Sequence, residues 1–400
     1  MVPFQGFPGE KTVSDYSSHV AAPRDLRQWL NQIALPSFAR IAVRPGEEGY
    51  VEFLTPSFVA DSKPRKSTLS TGRLLYCFSH AAILDPRGPG LAAARHGLDY
   101  LLRRCANPEG GFYRSLNTDG SPLDNRCDLG DLGFVLFSLG WYHRASGEKR
   151  ALEIAERTMR FMEIHLASKA GGFQEDTLGT LPRRQNPHMH LLEACHILAE
   201  ESGESASAPG PWLSRARKLV DLLRRKFIDP SNGSLIEQFD ADWVPVTGAG
   251  REPGSHFEWV WALLHHRRLT GDDSVLPIAD GFYRFALEHG VDSEKPHLAF
   301  DAVDGTGQIL AATKLMWPQT EAIKAFVARA EFLGDSDAAG RIDTFLDLLF
   351  RHYVDAETGF FCNQVERDGK KRVVEMPVRV LYHLELALAE VIRWREKARA

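Results

Sequence analysis

The sequence is poor in the features that define several large classes of protein. It has 5 cysteines in 400 residues and no Cys-x-x-Cys spacing, which is typical of reduced thiols rather than of a disulfide framework. The longest apolar run, around residues 134–142, is interrupted by Ser138 and Gly140 and is too short to span a bilayer. The first residues carry charges and prolines where a secretory signal needs a continuous apolar stretch. We therefore expect a cytoplasmic protein without a membrane segment.

Strong net charge and nucleotide-binding motifs are also missing. Lys and Arg total 48 against 53 Asp and Glu, so a net charge of -5 gives no general attraction to nucleic acid or to an anionic membrane. No glycine-rich phosphate-binding loop follows a predicted strand, and no Gly-x-Ser-x-Gly nucleophile elbow is present. These absences favour a small-molecule partner and are compatible with a homodimer.

A short motif recurs along the chain at nearly constant spacing. Each clear copy is a glycine followed within two residues by Phe or Leu. The copies begin at Gly110, Gly171, Gly233 and Gly359, with spacings of 61, 62 and 126 residues, and a weaker copy begins at Leu298. Such periodicity is typical of an architecture built from one repeated supersecondary unit.

Between these motifs, apolar residues recur with the period of amphipathic helices. Twelve helices are predicted, over residues 23–42, 67–84, 90–105, 128–146, 149–167, 186–201, 211–227, 254–270, 274–288, 314–333, 335–352 and 377–397. The odd-numbered helices have a charged face and suit an outer layer, whereas the even-numbered ones suit a buried inner layer. We predict an all-α fold: an N-terminal arm (1–22), then a single (α/α)6 barrel (23–400) with short β-hairpins in the loops on one face.

One polar or aromatic residue stands near the start of each even-numbered helix. These residues are Arg73, Asp131, His190, His256, Trp317 and His383, spaced by 58, 59, 66, 61 and 66 residues. In a toroid of helix pairs, equal phase in the repeat means equal height around one central pocket. We therefore expect these positions to converge on one ligand, the alternative being that each residue only caps a buried helix start.

The helix predicted over residues 186–201 opens on a dense polar array. Asn186, His190 and Glu193 are three or four residues apart and share one helical face. The array could hydrogen-bond sugar hydroxyls or ligate zinc. Because His-x-x-Glu alone is a common pattern and no second dense group of ligands stands nearby, we predict no metal and no cofactor.

The next inner helices also begin with groups that suit a carbohydrate. Ser255 and Glu258 share one face of the helix over residues 254–270, and His256 is turned from Ser255 by about 100°. On the helix predicted over residues 314–333, Trp317 offers an indole for stacking on a sugar ring, and Gln319 and Glu321 follow it closely in sequence.

At these positions the sequence resembles the N-acylglucosamine 2-epimerase superfamily, and most of all its mannose isomerase branch. The resemblance rests on R-x-N-P-H-M-H-L-x-E-A at 184–194, E-P-G-x-H-F-E-W at 252–259, W-P-Q-x-E-A at 317–322 and Y-H-L at 382–384. It covers about residues 25–395. It implies an (α/α)6 barrel and metal-free interconversion of an aldose with a ketose, or with its C2 epimer, through an enediolate.

The resemblance also implies roles for individual residues. Arg73 would steady the sugar oxygens, Glu258 would orient or assist a histidine, and His383 would move the proton between C1 and C2. Together with the repeat argument, this gives His383, Glu258, His256 and His190 as predicted catalytic residues. The predicted substrate-binding residues are Arg73, Asp131, Asn186, Glu193, Trp317, Gln319, Glu321 and Arg379.

Three positions depart from the family pattern. Ser255 stands where a histidine is usual, residues 130–134 lack the usual aromatic hydroxyl, and Arg379 stands among positions where small hydroxyls are usual. Losing one of two histidines favours isomerisation, which can return a proton with one base, over epimerisation. Arg379 would suit a phosphorylated or acidic sugar if it faces the pocket. The alternative is that it points outward and pairs with Glu375.

These observations predict an aldose–ketose isomerase of the mannose type that acts on a monosaccharide. A sugar 2-epimerase is the alternative within the family. A glycoside hydrolase or lyase would need two facing carboxylates, for which Asp131 with Glu258 or Glu321 is the available pair. Ser255 leaves open a catalytically altered, sugar-binding member of the family.

Overall fold

The computed structural model describes residues 21–61, 65–117 and 119–399. The predicted arm of residues 1–22 therefore lies almost entirely outside the described residues. At the end of that arm, the Ala22 N–H donates to Asp347 Oδ1 at 3.0 Å. The described chain is mainly helical, with short strands between the helices.

The α-helices of the described residues match the predicted ones closely. In chain order they are α1 (Leu26–Trp29), α2 (Leu35–Ala42), α3 (Thr68–Leu84), α4 (Gly90–Tyr100), α5 (Leu129–Ser146), α6 (Arg150–His165), α7 (Asn186–Glu201), α8 (Pro211–Leu222), α9 (Pro253–Thr270), α10 (Leu276–Phe285), α11 (Met316–Leu333), α12 (Ser336–His352) and α13 (Leu381–Lys397). The first predicted helix is interrupted by a π-helical turn, Leu30–Ala34, which leads into Pro36. Proline has no N–H to donate, so a regular helix cannot continue unchanged through this point.

Further π-helical and 3-10 turns lengthen several helices. The π-helical turns Leu101–Cys105, Leu223–Phe227 and Ala286–Gly290 end α4, α8 and α10, and the 3-10 helices Asp273–Val275 and Val378–Val380 precede α10 and α13. The last predicted helix, over residues 377–397, therefore becomes regular only at Leu381.

The helices form two layers. The inner helices α3, α5, α7, α9, α11 and α13 each pack against the next, and α13 packs against α3, so the ring closes. Helices α4, α6, α8, α10 and α12 each pack on the inner helix before them, and α1 packs on α13. The outer helix α6 illustrates the pattern: Ile154 and Met159 are buried, whereas Glu153, Arg157 and Arg160 are exposed.

Short strands lie in the loops between the helices. They are β1 (Phe53–Leu54), β2 (Lys66–Ser67), β3 (Ser115–Leu116), β4 (Pro122–Asp124), β5 (Arg183–Arg184), β6 (Gln238–Phe239), β7 (Ala302–Val303), β8 (Ile309–Ala311), β9 (Lys314–Leu315), β10 (Gln364–Val365) and β11 (Met376–Pro377). Two antiparallel pairs, β3–β4 and β7–β8, are hairpins of the kind predicted. The other pairs join strands from different loops, which the sequence did not indicate.

Backbone pairings run around the ring from each loop that precedes an inner helix to the next such loop. The pair β2–β3 joins the loops before α3 and α5, β5–β6 those before α7 and α9, and β9–β10 those before α11 and α13. The remaining steps are the bridges Asp128–Asp176 and Arg251–Val303 and the pair β11–β1. We call this closed set of pairings the rim hoop. It places the starts of all six inner helices on one face.

The recurring glycine motif has a structural cause. Each copy forms a tight turn closed by a backbone bridge, at Ala106–Phe112, Ala167–Phe173, Ile228–Leu235, Val291–Ala299 and Val354–Phe361. In the four clear copies, the glycine has a positive φ of 103°, 92°, 74° or 80°, in a region that favours glycine because it has no Cβ. The repeat predicted from the sequence is therefore a repeat of turns.

Two expectations about the chain as a whole can be compared with the structure. All five cysteines are free and buried, in agreement with the prediction of reduced thiols. Among the described residues, no helix is both long and apolar enough to cross a membrane.

Candidate active site

Three inner helices bring His383, Glu321 and Arg73 together. His383 is buried in the first turn of α13. Its Nδ1 is 2.7 Å from Glu321 Oε1 on α11, and its Nε2 is 3.5 Å from Arg73 Nη1 on α3. Burial lowers the pKa of His383 to about 4, although Glu321 acts in the opposite direction, so the ring is neutral near pH 7. A neutral ring that donates its Nδ1 proton to Glu321 has a free electron pair on Nε2 and can act as a base.

A second imidazole–carboxylate pair lies on α7. His190 Nδ1 is 2.7 Å from Glu193 Oε2, one helical turn away, and both side chains are buried. The Tyr382 hydroxyl donates to the same carboxylate, 3.2 Å from Oε2. Burial lowers the pKa of His190, so this ring is also held neutral with its Nδ1 on a carboxylate.

The ammonium group of Lys324 lies between the two pairs. Its Nζ is 2.8 Å from Glu321 Oε2 and 3.7 Å from Glu193 Oε1, and the side chain is fully buried. It also lies 4.2 Å from the centre of the Trp261 ring. Lys324 is not among the residues predicted from the sequence. The available signal was a single charge in an apolar stretch, one helical turn after Glu321.

The three central carboxyl groups differ in charge state because their neighbours differ. Burial would raise the pKa of Glu321 and of Glu193, but Lys324 and a histidine hydrogen bond lower both below the usual value. Within the described chain, neither carboxyl oxygen of Glu258 has a hydrogen-bond partner. Burial, followed by the charges of Glu321 and Glu193, raises the pKa of Glu258 well above its usual value. This shift favours the protonated form of Glu258, which can donate a hydrogen bond.

The structure does not bring His256 into this cluster. Its Nε2 accepts from the Leu235 N–H at 2.9 Å, and its Nδ1 donates to the Glu252 carbonyl at 2.9 Å. Its ring stacks on Phe285 with centroids 4.7 Å apart. Because both nitrogens are bound to backbone, His256 anchors the start of α9 and does not fit its predicted catalytic role. Ser255 donates from Oγ to Glu252 Oε2 at 3.2 Å.

Gln319 also binds backbone, whereas Trp317 lies beside His383. Gln319 Oε1 accepts from the Ala299 N–H at 2.7 Å, and Gln319 Nε2 donates to the Ala299 carbonyl at 2.9 Å. Gln319 therefore holds a loop and does not fit a sugar-binding role. Trp317 is half-buried, and its ring centre is 5.6 Å from that of His383. A Cβ at Gly254 would lie 2.4 Å from the Trp317 ring, so glycine lets the indole lie against the start of α9.

Arg379 has neighbours at the starts of the inner helices. It is half-buried, and burial lowers its pKa, with smaller effects from the charges of Glu52, Arg65 and Asp131. Burial lowers the pKa of Arg73 as well, and the charge of Arg379 contributes to that shift. Its guanidinium lies 5.8 Å from the centre of the Phe53 ring on β1.

Asp131 and Asn186 lie at the starts of α5 and α7. Asp131 is buried, and its Oδ2 has no hydrogen-bond partner among the described residues. Burial, and then the neighbouring Asp128, raises the pKa of Asp131 well above its usual value. Asn186 is half-buried at the first residue of α7, one turn nearer the rim hoop than His190.

The predicted residues that the structure brings together are His383, Glu321, Arg73, His190, Glu193 and Glu258, with Trp317 beside them. Within the described residues, donor atoms of His190, Glu193 and Glu258 lie within 4.8 Å of one another, as do those of Glu258, Glu321 and His383. A cation in either place would compete with Lys324 for the ionised carboxylates. As it stands, the arrangement suits proton transfer: two neutral imidazoles, one protonated carboxyl group and an arginine for an oxyanion.

A family assignment accords with this fold and this cluster. The family model for N-acylglucosamine 2-epimerase (GlcNAc 2-epimerase) matches residues 49–387, and the chain belongs to this family.

Relatives of the chain include both isomerases and epimerases. The chain is 30% identical over 383 residues to a mannose-6-phosphate isomerase of Rhizobium meliloti (strain 1021), with 92% of this chain and 96% of that protein covered. It is 22% identical over 361 residues to a cellobiose 2-epimerase of Ruminococcus albus, with 84% and 88% covered. The solved structure of a cellobiose 2-epimerase from Spirochaeta thermophila DSM 6192 superimposes with a TM-score of 0.83, at 22% identity and with 94% and 96% covered. The solved structure supports the fold, and the sequence relatives support a sugar isomerase or epimerase.

Removing the His383 imidazole should abolish most of the activity. We expect His383→Ala to lower kcat by about 10² or more in steady-state assays, because general acid–base groups contribute about 10²–10⁴-fold. A matched control is His188→Ala, since buried His188 accepts from the Phe173 N–H at 3.0 Å and serves the loop. That control should lose stability and keep kcat. Near-normal turnover of His383→Ala would contradict the assignment.

His256 should contribute to stability in a pH-dependent way. Burial lowers its pKa to about 3, so between pH 7 and pH 5 the unfolded chain takes up a proton there and the folded chain does not. Stability is therefore lost as the pH falls. The wild type should lose about 2 kcal/mol more than His256→Asn over this interval, from about 1.36 kcal/mol per pH unit below pH 6.5. Urea unfolding at both pH values measures the difference, and equal losses would contradict the prediction.

Proposed function

We propose that this protein is an aldose–ketose isomerase of the mannose–fructose type that works by metal-free proton transfer through an enediolate. One observation carries the proposal: His383 is a neutral imidazole with Nδ1 on Glu321 and Nε2 beside the Arg73 guanidinium. A base next to a cation is what proton removal beside a carbonyl requires. The match to a mannose-6-phosphate isomerase supports the same reaction class.

In the proposed reaction, an open-chain aldose binds with its C2 hydrogen towards His383 Nε2. The imidazole takes the C2 proton, and the electron pair of the broken C–H bond forms the C1–C2 double bond of an enediolate. The negative oxygen O1 is stabilised by Arg73. Glu258 donates its proton to O1 and takes up the proton of O2, after which His383 returns its proton to C1. The atoms of the aldose are then those of the ketose.

A sugar 2-epimerase is the second candidate. His190 favours it, because a second neutral imidazole in the same cluster could return a proton to the opposite face of C2. Ser255 favours the isomerase, because its hydroxyl is bound to Glu252 and it replaces a histidine that is usual in the family. The relatives include both activities.

The charge of Arg379 supports an anionic substrate. It contributes to the lowered pKa of Arg73, so two cations lie near each other at the starts of inner helices. A phosphorylated hexose would bind such a group through charge-assisted hydrogen bonds. The name of the Rhizobium meliloti relative agrees with this choice.

We further propose the organisation that surrounds this site. Residues 23–400 would form one catalytic domain, an (α/α)6 barrel, after an arm of residues 1–22; the closed ring of inner helices and the outer helix behind each of them support this. The free cysteines support a cytoplasmic location. We also propose that the protein is a homodimer and that it uses no metal, no other cofactor and no nucleic-acid partner. Size-exclusion chromatography with light scattering measures the oligomeric state.

Incubation with mannose or mannose 6-phosphate in D2O tests the reaction class. We expect the matching ketose to form with deuterium at C1, because His383 exchanges its proton with solvent before returning it. The products are identified by NMR. Labelled glucose or glucose 6-phosphate without ketose would indicate the epimerase instead, and binding without any exchange would contradict both.

Arg379→Ser tests the charge of the substrate. We expect kcat/KM for the hexose 6-phosphate to fall by about 10-fold or more, because a charged hydrogen bond contributes about 1.5–3 kcal/mol and 1.4 kcal/mol is tenfold. The neutral hexose should be affected much less. Arg372→Ser is the matched control, since Arg372 lies in the same loop and pairs with Glu366 at 3.3 Å. An equal effect of Arg379→Ser on both sugars would contradict an anionic substrate.

A further inference from the structure

We propose that Lys324 is a positioning residue: its ammonium group links the Glu321–His383 pair to the Glu193–His190 pair, and so holds both imidazoles with the Nδ1 proton on a carboxylate and Nε2 as the nitrogen that can take a proton. This inference rests on the proposed function for its kinetic consequence. Its structural part stands on the contacts alone.

The first support is the position of Lys324. Its Nζ lies 2.8 Å from Glu321 Oε2 and 3.7 Å from Glu193 Oε1. The other oxygen of each carboxylate holds a histidine: Glu321 Oε1 binds His383, and Glu193 Oε2 binds His190. The two imidazole–carboxylate pairs come from three different inner helices. Among the described residues, Lys324 contacts both carboxylates.

The second support is the charge at the centre of the ring. Glu193, Glu258 and Glu321 are all fully or almost fully buried, and carboxylates placed this close together cannot all ionise without compensation. Lys324 is close to two of them and supplies the charge that lets both stay ionised. Glu258 is left as the neutral member, and this is the state in which it can donate a proton.

The third support is the chemistry of a histidine base. An ionised carboxylate accepts the Nδ1 proton and thereby fixes which nitrogen carries the free electron pair. A protonated carboxyl group would not fix it, because it can donate as well as accept. Loss of Lys324 therefore changes the tautomer and orientation of His383 and His190 without removing any group that touches the substrate.

The surroundings of Lys324 fit this role. The Trp261 ring lies 4.2 Å from Nζ and the Tyr382 ring 5.8 Å from it, so aromatic faces take the place of water around the cation. Tyr382 also donates its hydroxyl proton to Glu193. The ammonium group is thus held by two carboxylates and two rings, which leaves it little freedom to act as an independent acid or base.

The test compares Lys324→Met with Lys314→Met. Both lysines are fully buried and ion-paired, and Lys314 Nζ lies 3.0 Å from Asp292 Oδ2 in the loops, away from the two histidine pairs. Both variants should lose thermal stability. Only Lys324→Met should lose kcat, by about 10-fold or more, with KM within about threefold, since groups that act only on the transition state change kcat and kcat/KM alike.

Proton NMR of the histidine rings gives a readout that does not require a substrate. In the wild type we expect downfield Nδ1–H signals from His383 and His190, each assigned by its loss in His383→Asn or His190→Asn; the His143 ring, whose Nδ1 lies 2.7 Å from Glu201 Oε2, can add a third signal that neither variant removes. The His383 and His190 signals should move or disappear in Lys324→Met and stay unchanged in Lys314→Met. Signals that stay in place in Lys324→Met would overturn the proposal, as would an unchanged kcat.

A double variant covers the case in which Lys324→Met does not fold. Glu193→Gln combined with Lys324→Met removes one buried carboxylate together with the cation, and it is compared with Glu193→Gln alone. The His383 signal should move and kcat should fall further in the double variant; unchanged values would overturn the proposal. A wild type that converts no sugar and keeps both signals until Lys324 is replaced would reject the proposed function but support the role of Lys324.

Discussion

The rim hoop is the constraint on which the site depends. Each inner helix begins where a backbone pairing ties its preceding loop to the neighbouring loops, so the starts of all six helices are held at one level. Arg73 and His383 are separated by 310 residues, yet their side chains meet 3.5 Å apart. A site assembled from five distant helices needs such a frame, because side chains can be no better placed than the backbone that carries them.

Neighbouring charges then give chemically identical side chains different roles. Glu321 and Glu193 lie beside Lys324 and stay ionised, whereas Glu258, in the same pocket, has no hydrogen-bond partner in the described chain and its raised pKa favours the protonated form. One carboxyl group therefore orients a histidine while another can donate a proton. The distinction comes from contacts of a few ångströms that no single motif encodes.

The sequence predicts the helices, the two layers and the level of the site, because these follow from periodicity. It does not resolve which of two adjacent residues faces the centre, since neighbours on a helix point about 100° apart. His256 has the expected position in the repeat but binds backbone. Lys324 lies about two turns into α11, one turn beyond Glu321, and the partner of Gln319 is a distant loop. Such contacts follow from tertiary packing and carry no local pattern.

The recurring turns at Gly110, Gly171, Gly233 and Gly359 also bear on how such a chain can change. The turns share a backbone conformation, whereas the residues at the centre have little in common: a guanidinium, an ammonium group, three carboxyl groups, two imidazoles and, beside them, an indole. Scaffold and chemistry are thus encoded at separate positions of each repeat. Substitutions at the central positions can exchange one ligand-facing group for another while the turns preserve the frame, so new substrate preferences can arise one repeat at a time.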